Sequence, residues 1–171
     1  MSLHTAVVAG NPRPRSRTLA AAITVVRGLT DTEPDLVVDL AMLGSALLDW
    51  KDPSVAGLVD EVGAADVVVV ASPTYKATYA GLLKLFLDRF AGGVGLSGVA
   101  VPLMLGATPR HELAGELHLR PLLVELGGTV PTSALFVLDH EYDRPEAYDE
   151  WLTRSRPLVT ALTAFTTGAT A

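Results

Sequence analysis

From Asp66 to Asp88 the chain reads DVVVVASPTYKATYAGLLKLFLD, and no other stretch restricts its folding choices as much. Val67 to Ala71 are apolar at every position, so both faces of the strand they form must be covered, the pattern of a central strand in a parallel sheet. The strand is expected to break at Ser72-Pro73, turn through polar and aromatic residues, and give way to an amphipathic helix from Gly81. It therefore delivers a loop to the carboxyl edge of a sheet. In open α/β folds that edge binds ligands where the strand order reverses. Ser72, Pro73, Thr74, Tyr75, Lys76, Thr78 and Tyr79 supply hydroxyls, backbone N–H groups, one cation and aromatic faces there. They suit a planar ligand with polar edges.

A second strand-to-helix loop has the chemistry of an anion site. His4 to Ala9 reads as a short apolar strand that stops at Gly10-Asn11-Pro12, and GNPRPRSRT follows from Gly10 to Thr18. Prolines stiffen this loop, and Arg13, Arg15 and Arg17 are donors. Leu19, Ala22, Ile23 and Val26 recur at helical spacing, so either Ser16 or Thr18 is the N-cap. Free amides and the helix dipole at such a terminus favour a phosphate monoester.

The remaining pattern continues to alternate. Asp35 to Leu40 is a second strand, Ser54 to Ala64 a helix, and the helix from Gly81 runs to Phe90 with Leu82, Leu85, Phe86 and Phe90 as its apolar stripe. Val99 to Leu105 is a further strand, followed by the loop LGATPRH. A helix from Glu112 to Leu126 should be kinked or bulged by Pro121. Val130 to Leu138 completes the strands, and a closing helix from Glu146 to Phe165 is interrupted at Pro157. Residues 41 to 53 carry Trp50 without an assignable role. Gly93, Gly95 and Gly98 match GxGxxG, but they follow a helix and precede a strand, the wrong context for a dinucleotide turn.

Composition narrows the function. The 171 residues fit one domain spanning 1–171, and the net charge of -6 argues against nucleic acid as a partner. A 49% hydrophobic fraction and a mean hydropathy of +0.36 suggest apolar surface reserved for a subunit contact. With no cysteine there is no disulfide or thiolate metal site. His111 and His118 are too far apart on a helix to share a metal, so no metal is expected. No apolar run reaches the roughly 18 residues of a membrane span. Without a basic leader segment, a cytoplasmic location is expected.

Two of these stretches carry a resemblance. SPTYKATYAGLLKLFLD resembles the flavin-ring loop and following helix of NADPH-dependent FMN reductases, above all the reductase components of two-component alkanesulfonate monooxygenases. Pro73, Tyr75, Lys76, Gly81, Lys84 and Asp88 meet that family's pattern. The first loop is similar to the family's Gly-Ser-x-Arg-x-x-Ser-x-Asn/Ser loop at Gly10, Arg13, Ser16 and Thr18, with Asn11 in place of the usual serine.

The resemblance implies a flavodoxin-like, doubly wound, five-stranded parallel sheet of order 2-1-3-4-5 with helices on both faces. It implies an NAD(P)H-dependent FMN reductase that passes hydride from nicotinamide to flavin and supplies reduced FMN to a partner monooxygenase. Asn11, Arg13, Ser16, Arg17 and Thr18 would hold the FMN phosphate. Pro73, Thr74, Tyr75 and Lys76 would line the ring, with Lys76 stabilising charge on the reduced flavin, and Gly106, Ala107 and Thr108 would pass beside it. One phosphate does not need three arginines, so Arg15 is expected to face the 2′-phosphate of NADPH. A homodimer or homotetramer is expected, with helices 81–90 and 112–126 at the interface and a widened turn near Leu117 and His118. An FMN-containing quinone or azo reductase, and an electron carrier without nicotinamide activity, remain open.

Overall fold

A computed structural model describes residues 3–168. Its strands are β1 (Thr5–Ala9), β2 (Leu36–Asp39), β3 (Val67–Tyr75), β4 (Thr78–Tyr79), β5 (Val99–Gly106) and β6 (Leu135–Leu138). Five of them run parallel in the order β2-β1-β3-β5-β6, while β4 folds back antiparallel on the end of β3. Counting the parallel strands alone, this is the expected 2-1-3-4-5 flavodoxin-like order. The helices are α1 (Arg17–Thr30), α2 (Pro53–Gly63), α3 (Gly81–Leu87), α4 (Arg120–Glu125) and α5 (Glu146–Gly168).

Side-chain alternation divides the core into two layers. Val67, Val69 and Ala71 of β3 pack with Val101, Leu103 and Leu105 of β5 under α1 and α5, whose Val25, Val26, Tyr148 and Trp151 are buried there. On the other face, Val68 and Val70 meet Ala100 and Met104 beneath α2, α3 and α4, which contribute Val55, Val62, Leu83, Phe86, Leu87 and Leu123, with Leu119 just before α4. Both faces of β3 are covered, as its unbroken apolar run requires.

Three boundaries differ from the sequence reading. β3 does not break at Ser72-Pro73 but runs through both to Tyr75, with Pro73 in register with Leu105. Ala71 turns its carbonyl toward β1, accepting from the Gly10 amide at 2.8 Å. Pro73, two positions on, therefore turns its nitrogen to the same side, beyond the last β1 pair at Ala9, so its missing N–H loses no ladder bond. The strand expected from Val130 begins only at Leu135. Side chains claim the carbonyls before it: Arg120 donates to those of Val130 (3.1 Å) and Thr132 (3.4 Å), and the Trp151 indole to that of Ser133 (2.9 Å). The helix from Gly81 stops at Leu87 rather than Phe90.

The disturbance expected from Pro121 takes a definite form. Gly115–Leu119 is a π-helical turn that runs directly into α4: the Arg120 amide bonds the Gly115 carbonyl, and Pro121, the next residue, has no N–H to continue the ladder. α5 continues through Pro157, where an interruption was expected. Residues 41 to 53 form two 3₁₀ turns, Leu40–Met42 and Gly44–Leu48, and then the Asp52 cap of α2. Gly93 to Gly98 lies at the amino end of β5, away from the ligand edge. An added Cβ on Gly98 would sit 2.2 Å from the Ala65 carbonyl oxygen, so close packing explains the glycine.

Among the described residues no helix is long and apolar enough to cross a membrane.

Candidate active site

The strand order reverses between β1 and β3, since the chain moves outward from β1 to β2 and then returns to β3 on the other side. The loops leaving those two strands flank the switch point, where doubly wound sheets open a crevice. The Gly10 amide bond to the Ala71 carbonyl joins them at their base.

The first loop is tied down by its own side chains. Asn11 is buried; its Nδ2 donates to Thr18 Oγ1 at 2.9 Å and its Oδ1 accepts the Arg13 amide at 2.9 Å. Ser16 is the N-cap of α1, accepting from the Leu19 amide at 3.2 Å, which decides between the two cap candidates. The amides of Ser16, Arg17 and Thr18 donate to no group among the described residues. Arg13 and Arg15 are exposed, and neither guanidinium has an ion-pair partner among the described residues. Arg17 is engaged elsewhere: it donates to the Asp139 carbonyl at 3.2 Å and lies 5.5 Å from the centre of the Tyr142 ring. Tyr142 is steadied in turn by Tyr148, whose hydroxyl donates to the Tyr142 carbonyl at 2.5 Å and whose burial pushes its pKa up to about 12.

The second loop, expected as a turn through polar and aromatic residues, is a two-residue hairpin. Thr74 pairs with Tyr79 and Tyr75 with Thr78, leaving Lys76 and Ala77 at the tip with φ of 52° and 65°. Positive φ at both central positions is the type I′ arrangement, which asparagine and glycine normally fill. The buried Ser72 hydroxyl fastens the hairpin, donating to the Pro73 carbonyl at 2.9 Å and accepting the Ala80 amide at 2.8 Å. Tyr75 and Lys76 are exposed at the tip, whereas Tyr79 packs against the layer containing α3. Ala77→Gly should relieve the left-handed residue and raise stability by about 0.5–1 kcal/mol. Thermal unfolding would read this as a rise in Tm; a fall would show that Ala77 bears no strain.

The third loop leaves β5 at the same sheet edge, beside the end of β3. Gly106 ends β5 where an added Cβ would lie 2.7 Å from the Phe136 ring and 3.4 Å from Thr74 Oγ1. Thr74 Oγ1 is buried with no hydrogen-bond partner among the described residues. Such a hydroxyl, between two loops at a ligand edge, is an acceptor or donor available to something bound. Ala107 is exposed, and Thr108 Oγ1 caps the short 3₁₀ turn Pro109–His111.

Residues 3–143 match the family model for NADPH-dependent FMN reductases. This chain belongs to that family. The FMN reductase (NADPH) of Pseudomonas aeruginosa is 34% identical over 124 residues, which cover 68% of this chain and 66% of that protein, just short of two thirds of its length. The NADH-dependent FMN reductase SfnF of Pseudomonas putida is 35% identical over 125 residues, covering 68% of this chain and 67% of the relative. The crystal structure of the NADH:FMN oxidoreductase EMOB in its apo form superposes with a TM-score of 0.83 at 25% identity, covering 94% of this chain and 90% of that one.

Seen as an FMN reductase family member, the chain brings Gly10 to Thr18, Thr74 to Lys76 and Gly106 to Thr108 to one edge, as the sequence suggested. Sequence reasoning missed two residues there. Ser72 stands at the expected break and among the hydroxyls of the ligand edge, yet its role is to pin the hairpin. Asp39 has no role in the sequence reading, yet its Oδ2 accepts the Arg15 amide at 2.7 Å. The Asp39 contact has no local sequence signal, because it joins residues on different strand ends, whereas the Ser72 contacts lie within the hairpin and depend on β4 folding back on β3.

Proposed function

We propose that this chain is an NAD(P)H-dependent FMN reductase acting as one flavin-binding unit over residues 1–171. The observation that carries the reading is the donor set at the switch point. Among the described residues, three amides at the start of a long helix have no partner, Arg13 and Arg15 beside them have no ion pair, and the Thr74 hydroxyl on the other side of the switch-point crevice has no hydrogen bond. A phosphate monoester on a planar ring system satisfies both ends of that crevice. FMN fits this donor set: Arg13, Ser16 and Thr18 with the neighbouring amides would hold its phosphate, and Pro73 to Lys76 with Gly106 to Thr108 would border its ring.

FMN, when bound, supplies the N5 position that accepts hydride from the nicotinamide C4. The protein's task is then alignment and exclusion of water more than proton transfer. Tyr75 offers a flat face to the ring or the nicotinamide, and Lys76 offers positive charge at the hairpin tip, which favours the reduced form. The Arg15 guanidinium is free to meet the 2′-phosphate of NADPH. Arg17, held by Asp139 and Tyr142, braces the rim of the loop.

The experiment is an anaerobic titration of protein and FMN with NADPH and with NADH, followed by flavin absorbance. Bleaching with turnover supports the reductase. Binding without bleaching marks an electron carrier, and quinone turnover faster than release of reduced flavin marks a quinone or azo reductase. The physiological acceptor in this reading is a flavin-dependent monooxygenase, and the setting is the cytoplasm.

The reductase is proposed to act as a homodimer or homotetramer. Leu113 and Leu117 are exposed by 62% and 64%, on and beside the π-helical turn that packs next to β4. A partner subunit covering them would also wall the hairpin. Leu117→Glu should weaken association and lower reductase activity together by about tenfold, since a buried unpaired carboxylate is costly. Sedimentation showing a monomeric wild type with full activity would remove the assembly from the mechanism.

A further inference from the structure

The first loop contains a backbone conformation that its own sequence does not favour. Arg15 has φ of 51°, in the left-handed region, where a non-glycine residue costs roughly 1 kcal/mol or more. No glycine or asparagine stands there to make it easy. What holds it comes from another strand. Asp39, the last residue of β2 and in register with Ala9, accepts the Arg15 amide on Oδ2 at 2.7 Å. Its other oxygen, Oδ1, is buried and makes no hydrogen bond among the described residues. The arrangement is one-sided: a carboxylate is placed beside an anion site, where its charge repels the ligand, and it makes one bond to a strained amide. A side chain serving only the end of β2 would have no reason to reach that amide.

We propose that Asp39 is a positioning residue for the anion loop, which locks Arg15 in its left-handed turn so that the following amides of Ser16, Arg17 and Thr18 converge on one phosphate. The inference rests on the reading of that loop as the FMN phosphate site. It acts through a hydrogen bond, not through charge. Ser16, the N-cap at φ −74° and ψ 165°, follows Arg15 directly, so the turn at Arg15 sets the direction in which the start of α1 presents its donors. Without the Asp39 contact, Arg15 relaxes to negative φ and the three amides no longer share a focus.

The test compares affinities of FMN and riboflavin by flavin fluorescence quenching for the wild type, Asp39→Ala, Asp39→Asn and Asp39→Ala/Arg15→Gly. Asp39→Ala should weaken FMN by about tenfold, the upper size expected for one hydrogen bond, and leave riboflavin unchanged. Asp39→Asn keeps an acceptor for the Arg15 amide and removes a repelling charge, so it should bind FMN at least as well as the wild type. Arg15→Gly, for which positive φ is without steric cost, should recover part of the Asp39→Ala loss. The proposal is overturned if Asp39→Ala binds FMN normally, if Asp39→Asn loses as much as Asp39→Ala, or if FMN and riboflavin weaken together. A wild type that binds FMN and riboflavin equally would instead refute the phosphate site itself, and the inference with it.

Discussion

Gly10→Ala should destabilise the protein by about 1–3 kcal/mol or more, the range of overpacking in a closed site, and should lower flavin affinity with it. A Cβ at this position would stand 2.4 Å from Leu83 Cβ and 3.1 Å from Leu83 Cα. Leu83 is fully buried on α3, and its own Cβ and backbone are what the new methyl meets, so no rotamer change relieves the clash. Either α3 moves outward or the Gly10 amide leaves the Ala71 carbonyl. The first displaces the helix that follows the β3–β4 hairpin, and the second separates the two ligand loops at their base. Thermal unfolding should show Tm lower by several degrees, at roughly 2–4 °C per kcal/mol for a chain of this size. Gly57→Ala is the control of opposite sign. Gly57 lies within α2 with nothing within 4 Å of an added Cβ, so alanine there should stabilise by about 0.5–1 kcal/mol. An unchanged Tm for Gly10→Ala would mean that α3 does not need its close approach to the first loop.

The same contact shows what the sequence made legible. Val67 to Ala71 announced a central strand because burial on both faces leaves no polar position, and Ser16 and Thr18 between them announced a helix start because an N-cap is a local device. Pro121 predicted a disturbed helix for an equally local reason, a missing amide, and the structure places a π-helical turn just before it. Local signals misled where a tertiary partner changed their meaning. Pro73 reads as a strand breaker until β1 is seen to end before it. Val130 to Ala134 reads as strand until Arg120 and Trp151 take its carbonyls.

The site itself divides in the same way. Donor-rich composition placed Arg13, Ser16 and Thr18 at a strand-to-helix junction, where helix physics already assigns them an anion. The hairpin was not legible, because Lys76 and Ala77 are poor type I′ residues, and what holds them is Ser72 together with the pairing of β3 and β4. Asn11 was expected to face the ligand, but both ends of its amide are engaged within the loop. Asp39 could not be linked to Arg15 by any spacing rule, since only the adjacency of β1 and β2 brings them together.

Arg13→Ala should weaken FMN binding by about 1.5–3 kcal/mol, the usual range for a hydrogen bond to a charged group, and leave riboflavin binding as it is. The Arg13 amide is already engaged by Asn11, which fixes the backbone from which the side chain departs, while its guanidinium has no acid to pair with among the described residues. A cation left unpaired beside three open amides gains most from a doubly charged ligand, and riboflavin lacks that charge. Ser16→Ala provides a graded comparison. Its hydroxyl accepts the Leu19 amide as the cap of α1 and can still donate its proton, so the loss for FMN should be smaller, about 0.5–1.5 kcal/mol, with a further stability cost near 1 kcal/mol from the missing cap. Rising ionic strength should narrow the difference between wild type and Arg13→Ala, because Arg13 acts from an exposed position where salt screens it. Isothermal titration of both flavins at two salt concentrations separates the outcomes. Equal losses for FMN and riboflavin in Arg13→Ala would place Arg13 in the fold of the loop and take the phosphate away from it.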